Sequence, residues 1–162
     1  MKNETPSLQK RVRQMSQGAN KYPDSIDKFY YAHSMEFYDS QQEKSDLKHF
    51  TAKMPNVMIV NPKTLGLGNS MSEYLKVVQT CDEVWFRGTT IGVNLEILTA
   101  LAMGKPVFSM ITKKPISDSV KTYFISNFNK SFYRDHDLRE IQTLFGKAVH
   151  KRFLKLIEGD LQ

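Results

Sequence analysis

The stretch Cys81-Asp82-Glu83-Val84-Trp85-Phe86-Arg87-Gly88-Thr89-Thr90-Ile91-Gly92-Val93-Asn94-Leu95-Glu96 continues as Ile97-Leu98-Thr99-Ala100-Leu101-Ala102-Met103-Gly104-Lys105-Pro106-Val107. Glu83 to Phe86 reads as a strand buried on both faces, because its apolar residues run on without alternation. Arg87 to Thr90 is a turn. Gly92 to Met103 is apolar almost all round, which marks a buried helix, and Gly104 is placed to close it as a C-terminal cap. Pro106 to Ile111 then opens another strand. Strand, buried helix and strand in succession are the unit of a parallel sheet covered on both sides.

The same alternation extends outward. Phe29-Tyr30-Tyr31-Ala32 and Val57-Met58-Ile59-Val60 are two further apolar runs of strand length, the second stopped by Asn61-Pro62. Asp39 to Lys53 predicts a surface helix. Ser70 to Thr80 predicts another, with Met71, Tyr74, Leu75 and Val78 on one face and capping-box spacing between Ser70 and Glu73. Lys130 to Tyr133 predicts a fifth strand, and Leu138 to Ile157 one long amphipathic helix. Met1 to Asp27 is polar without sustained periodicity and reads as a tail, leaving residues 28–162 as one domain. The expected fold is therefore α/β, a doubly wound, Rossmann- or flavodoxin-like parallel sheet of about five strands with flanking helices. Such sheets bind ligands outside the C-terminal ends of their strands. Three loops meet that condition: His33 to Tyr38, Asn61 to Asn69 and Arg87 to Asn94.

Composition narrows the function classes. The 162 residues are 40% hydrophobic and 25% charged, as in soluble globular proteins. The longest nearly apolar stretch, Ile97 to Met103, is far short of the roughly 18 residues of a membrane span. Met1 to Pro6 shows no apolar signal-peptide core. With the single cysteine Cys81 there is no intrachain disulfide or Cys-rich zinc site, and His33, His49, His136 and His150 lack metal-ligand spacing. These features point to a reducing, cytoplasmic setting without metal or cofactor. The net charge of +6 is uneven: Ile111 to Lys155 holds 10 basic and 4 acidic residues. That segment reads either as a solvated helix face or as an attractor of phosphorylated or acidic partners. No nucleic-acid module motif accompanies it, so a nucleic-acid polymer is not the expected partner.

Glu96 is the chemical oddity, a carboxylate early in an otherwise apolar helix. Burying it costs several kcal/mol (roughly) unless something compensates. Two readings stay open: it serves the backbone N–H groups and dipole of the helix N-terminus, or it has a task at the binding edge. Asp82 is equally double, either capping the preceding helix or acting in a site. Thr90 is either the helix N-cap or a ligand contact.

With these residues in view, Cys81 to Val107 resembles the nucleoside 2-deoxyribosyltransferase superfamily, and most nearly its 2'-deoxynucleoside 5'-monophosphate N-glycosidases. The shared features are an acidic residue opening a strand, a glycine turn at Gly92, a Glu at position 96, and Gly104-Lys105-Pro106-Val107 eight residues on. Tyr30-Tyr31-Ala32-His33-Ser34 resembles the family's first strand. Asn94 and His33 stand where glycines are usual. The resemblance implies that Glu96 is the nucleophile at the anomeric carbon, Asp82 a second essential carboxylate, and Tyr30 the group that orients Glu96. It also implies a 5'-phosphate cradle of Ser34, Thr89, Thr90 and Arg87 near Gly92, Asn94 and His33. Thr90 stands where free-nucleoside transferases carry an Asp, which would repel a phosphate. The chemistry suits these types: cleaving an N-glycosidic bond builds positive charge on the sugar, which a carboxylate stabilises or captures. The departing base needs a proton or hydrogen bond from the other side. The expected activity is cleavage or exchange of that bond in a nucleoside 5'-monophosphate, and the resemblance implies a homo-oligomer. Hydrolysis of NAD or a related dinucleotide, and nucleotide binding without turnover, are the alternatives.

Overall fold

A computed structural model describes residues 26–68, 70–131 and 138–159. Within them the chain forms strands β1 (Lys28–His33), β2 (Met58–Val60), β3 (Glu83–Arg87) and β4 (Val107–Ser109). The helices are α1 (Gln41–Lys53), α2 (Met71–Thr80), α3 (Ile91–Ala102), α4 (Asp118–Ser131), α5 (Leu138–Phe145) and α6 (Lys147–Ile157). The strands make one parallel sheet in the order β2-β1-β3-β4. Strand order reverses between β1 and β3, and there the loops after the two strands part to leave a crevice.

The central strand explains the lack of alternation in the sequence: Tyr30, Tyr31 and Ala32 are all fully buried. Tyr30 and Ala32 join Val60, Val84 and Val107 in the larger core, with Leu75 and Val78 of α2, Leu95, Ile97 and Leu98 of α3, and Phe145 and Phe153 of α5 and α6. Tyr31 faces the other way, into a smaller core with Trp85, Phe50 and Met110. That core is largely aromatic. Trp85 stacks on Phe108 at 4.5 Å, and Phe50 meets both Trp85 and Tyr31 edge-on at 5.7 and 5.6 Å.

The end of α3 bears out Gly104 as its cap. The Gly104 N–H donates to the Leu101 carbonyl and the Lys105 N–H to that of Ala100, the paired bonds of a Schellman turn. Other expectations need correction. The sheet has four strands among the described residues: Lys130 and Ser131 end α4, and Phe132 and Tyr133 of the expected fifth strand lie outside the described residues. The single helix expected from Leu138 to Ile157 breaks at Gly146, whose φ of +82° no helix accommodates. Ser70 is the N-cap of α2, but its hydroxyl pairs with Ser72 and not with a backbone N–H, so the capping box does not form. The expected N-terminal tail lies outside the described residues up to position 25. No helix of the described residues is long and apolar enough to cross a membrane.

On the α1 side a buried polar network ties helix to sheet. Arg87 grips Asp46 through two bonds, Nε to Oδ2 at 2.6 Å and Nη2 to Oδ1 at 2.9 Å. The Tyr31 hydroxyl donates to Asp46 Oδ2 at 2.5 Å. Burial works against the Asp46 charge, but the bonds from Arg87, Tyr31 and Gln42 outweigh it and hold its carboxyl below the usual range. Breaking a buried ion pair strands the remaining charge. Asp46→Ala is expected to lower unfolding free energy in urea by about 3 kcal/mol, and Tyr31→Phe by about 1 kcal/mol. An Asp46→Ala change within about 0.5 kcal/mol of zero, the range of ordinary surface substitutions, would show that α1 docks through its apolar contacts alone.

Candidate functional site

A pocket of about 450 Å³ opens at the C-terminal edge of the sheet. All three loops singled out by topology contribute: Ser34, Met35, Glu36 and Tyr38 follow β1, Pro62 and Gly68 follow β2, and Thr90 to Val93 follow β3. Met71 and Tyr74 of α2 and Glu96 of α3 complete the lining. The turn after β3 presses against the one after β1. A Cβ on Gly88, whose φ is +87°, would sit 3.2 Å from the Phe37 ring and 3.3 Å from Ser34 Oγ, so a side chain there would wedge the two loops apart.

Glu96 lies against the pocket wall with 5% of its surface exposed. The Tyr30 hydroxyl donates to its Oε2. No backbone N–H reaches the carboxylate among the described residues, so the reading of Glu96 as a server of the helix N-terminus finds no hydrogen bond. Thr90 has that task, as N-cap of α3 accepting from the Val93 N–H at 3.5 Å. Burial pushes the Glu96 carboxyl up to about 8, and the Tyr30 bond only partly opposes it. Burial and then the Glu96 charge hold the Tyr30 phenol well above its ordinary value.

The other candidates divide. Asp82 is not brought to the pocket. It lies at the opposite end of β3, exposed, with Oδ2 accepting from the Lys28 N–H at 2.8 Å. Strand direction dictates this, since the residue that opens a parallel strand and the loop that follows it lie at opposite edges. Arg87 stands at the right edge but on the wrong face: adjacent strand residues point oppositely, and its guanidinium is bound to Asp46. Ser34 Oγ donates to the Glu36 carboxylate at 3.1 Å. Thr89 is exposed and outside the lining; Asn94 is also outside it but half-buried, its Oδ1 buried without a partner among the described residues. Gly92 lines the pocket, and a Cβ there would meet only Met71 Sδ at an ordinary 3.7 Å. His33 borders the pocket, but its ring is turned under the sheet. It stacks on Tyr31 at 3.8 Å, with Nδ1 donating to the Tyr31 carbonyl and Nε2 2.7 Å from Glu43 Oε2. The expected four-residue phosphate cradle is therefore not assembled from these side chains.

Two residues gain weight from the structure. Tyr74 donates to the Gly68 carbonyl at 3.1 Å, and burial followed by the Glu96 charge raises its phenol. Burial, then Tyr74 and Glu96, push Tyr38 up to about 12. Glu96 thus faces three neutral phenols. The available signal was Tyr74 on the apolar face of its helix and Tyr38 just past the ligand edge of β1. Comparison of the chain with family models, with curated proteins and with solved structures finds no match.

A carboxyl raised from its ordinary 4.5 to about 8 works against stability. The folded chain holds a proton that the unfolded chain releases at lower pH. Stability therefore falls as pH rises from about 4.5 to about 8 and levels off above. Glu96→Gln removes this dependence while keeping an acceptor for Tyr30. The variant is expected to match the parent near pH 4 and exceed it by a few kcal/mol (order of magnitude) at pH 8. Equal melting temperatures of the two chains across that range would show that the carboxyl is not held in its neutral form.

Proposed function

We propose that the protein cleaves, or exchanges, the N-glycosidic bond of a nucleoside-class substrate, with Glu96 as the nucleophile. The observation that carries this reading is the buried Glu96 carboxyl, bonded to Tyr30 at the bottom of a pocket large enough for a sugar and a base. Carboxylates in binding clefts with strongly raised affinity for protons are where acid–base and nucleophilic chemistry concentrates. In the reaction, a Glu96 oxygen bonds to the anomeric carbon as the C–N bond breaks, and the electron pair of that bond leaves with the base. Water then attacks the same carbon, frees the Glu96 carboxylate and gives its proton to solvent. An acceptor base in place of water gives exchange. Tyr30 holds one carboxylate oxygen and leaves the other toward the substrate.

The resemblance favours a nucleoside 5'-monophosphate, whose phosphate would meet the free N–H groups at the start of α3. The side chains favour the free nucleoside. Two carboxylates, Glu36 and Glu96, line the pocket, no Lys or Arg does so among the described residues, and Arg87 is committed to Asp46. Only the ionised carboxylate attacks, so kcat/KM is expected to rise with pH and level off above about 8.

Incubation with nucleosides, their 5'-monophosphates and NAD, followed by chromatography for free base, tests the reading. Glu96→Ala is expected to lower base release by at least about 10³-fold without loss of fold. A Glu96→Ala chain as active as the parent, or a parent that binds the nucleotides and releases no base, would overturn it.

A further inference from the structure

With Asp82 at the far edge of the sheet, the departing base has lost the partner that the motif implied. The pocket offers several other side-chain donors, and most are engaged. Tyr30 donates to Glu96, Tyr74 to the Gly68 carbonyl and Ser34 to Glu36. Thr90 is exposed and accepts the Val93 N–H as cap of α3, and the His33 ring is held by Tyr31 and Glu43. Among the phenols of the pocket Tyr38 is the exception. Its phenol makes no hydrogen bond among the described residues, yet the residue lines the pocket and is only partly exposed.

The ring is also held in place. It lies 5.0 Å from the His33 ring, which is itself stacked on Tyr31 and paired with Glu43. Its backbone N–H closes the turn Met35–Phe37 on the Met35 carbonyl at 3.0 Å. Glu96 and Tyr74 line the same pocket as Tyr38, so the three groups share one space. A donor fixed at the edge of the cavity, with its hydrogen unspent, is arranged to meet a group that gains negative charge there.

We infer that Tyr38 Oη donates the hydrogen bond that stabilises the departing base, the task the motif points to in Asp82. This rests on the glycosidase reading of Glu96. As the C–N bond breaks, its electron pair moves onto the base nitrogen, and the Tyr38 hydrogen bond disperses that charge. The phenol, pushed up to about 12, keeps its proton, and the base takes its own from water. Tyr38 is then a specificity device as well, because it matters most for bases that leave poorly as anions.

The test is Tyr38→Phe in the full chain, which keeps the ring against His33. It is assayed on nucleosides graded by the leaving ability of the base, ending with an N7-methylated purine nucleoside, whose cationic base departs neutral. The expected loss in kcat/KM is about 100-fold on the poorest leaving bases, shrinking along the series to near parity on the methylated one. Asp82→Asn is expected to leave kcat/KM unchanged. A uniform loss along the series, or none, with a parent that cleaves the substrates, overturns the Tyr38 assignment alone. A parent that cleaves no member of the series overturns the glycosidase reading and this inference with it.

Discussion

The hydrogen bond from Tyr30 to Glu96 joins the central strand to the most buried helix, and the ligand edge is organised around it. A carboxyl enclosed by Tyr30, Tyr38 and Tyr74 is poorly solvated, so it holds its proton to about pH 8. The same environment that weakens its acidity makes its ionised form reactive, because little solvent must be stripped away before it attacks. The fold tolerates this unfavourable group because most of α3 is buried and apolar, with Leu95, Ile97 and Leu98 in the larger core. The Schellman turn at Gly104 and the Thr90 cap fix both ends of that helix, and so the height of Glu96 above the sheet.

The two faces of the sheet divide the polar groups by purpose. On the α1 face Arg87, Asp46, His33 and Glu43 satisfy one another and anchor the ends of β1 and β3. These bonds leave them little freedom to meet a ligand. On the other face Glu96 and Tyr38 keep unsatisfied capacity that opens on the pocket. Among the described residues, the lysines of the basic C-terminal segment take no part in either set. Lys147, Lys151 and Lys155 on α6 are exposed, and none lines the pocket.

Much of this was legible in the residues. Unbroken apolar runs located the four strands to within a residue or two, and the parallel-sheet rule chose the three loops that line the pocket. Glu96 stood out because a carboxylate in an apolar helix has few physical excuses. What was not legible depended on partners distant in sequence. Nothing local to Arg87 announces Asp46, 41 residues before it, so a cation at the ligand edge read as free. His33 likewise shows nothing of Glu43. Asp82 lies away from the pocket because a strand carries the residue that opens it to the opposite side of the domain from the loop that ends it, although the motif puts the two on one line of text. The helix break was written in Gly146, but the amphipathic period on either side masked it.

The central claim is that Glu96 bonds to the anomeric carbon. A nucleoside fluorinated at C2' of the sugar tests it directly, because the fluorine withdraws electrons from the oxocarbenium-like transition state and slows release of the glycosyl group. On this account mass spectrometry after incubation finds one fluorinated sugar on the peptide that contains Glu96, and none in the Glu96→Gln chain. Base release from that nucleoside with the sugar on another residue, or with no residue labelled, would contradict it.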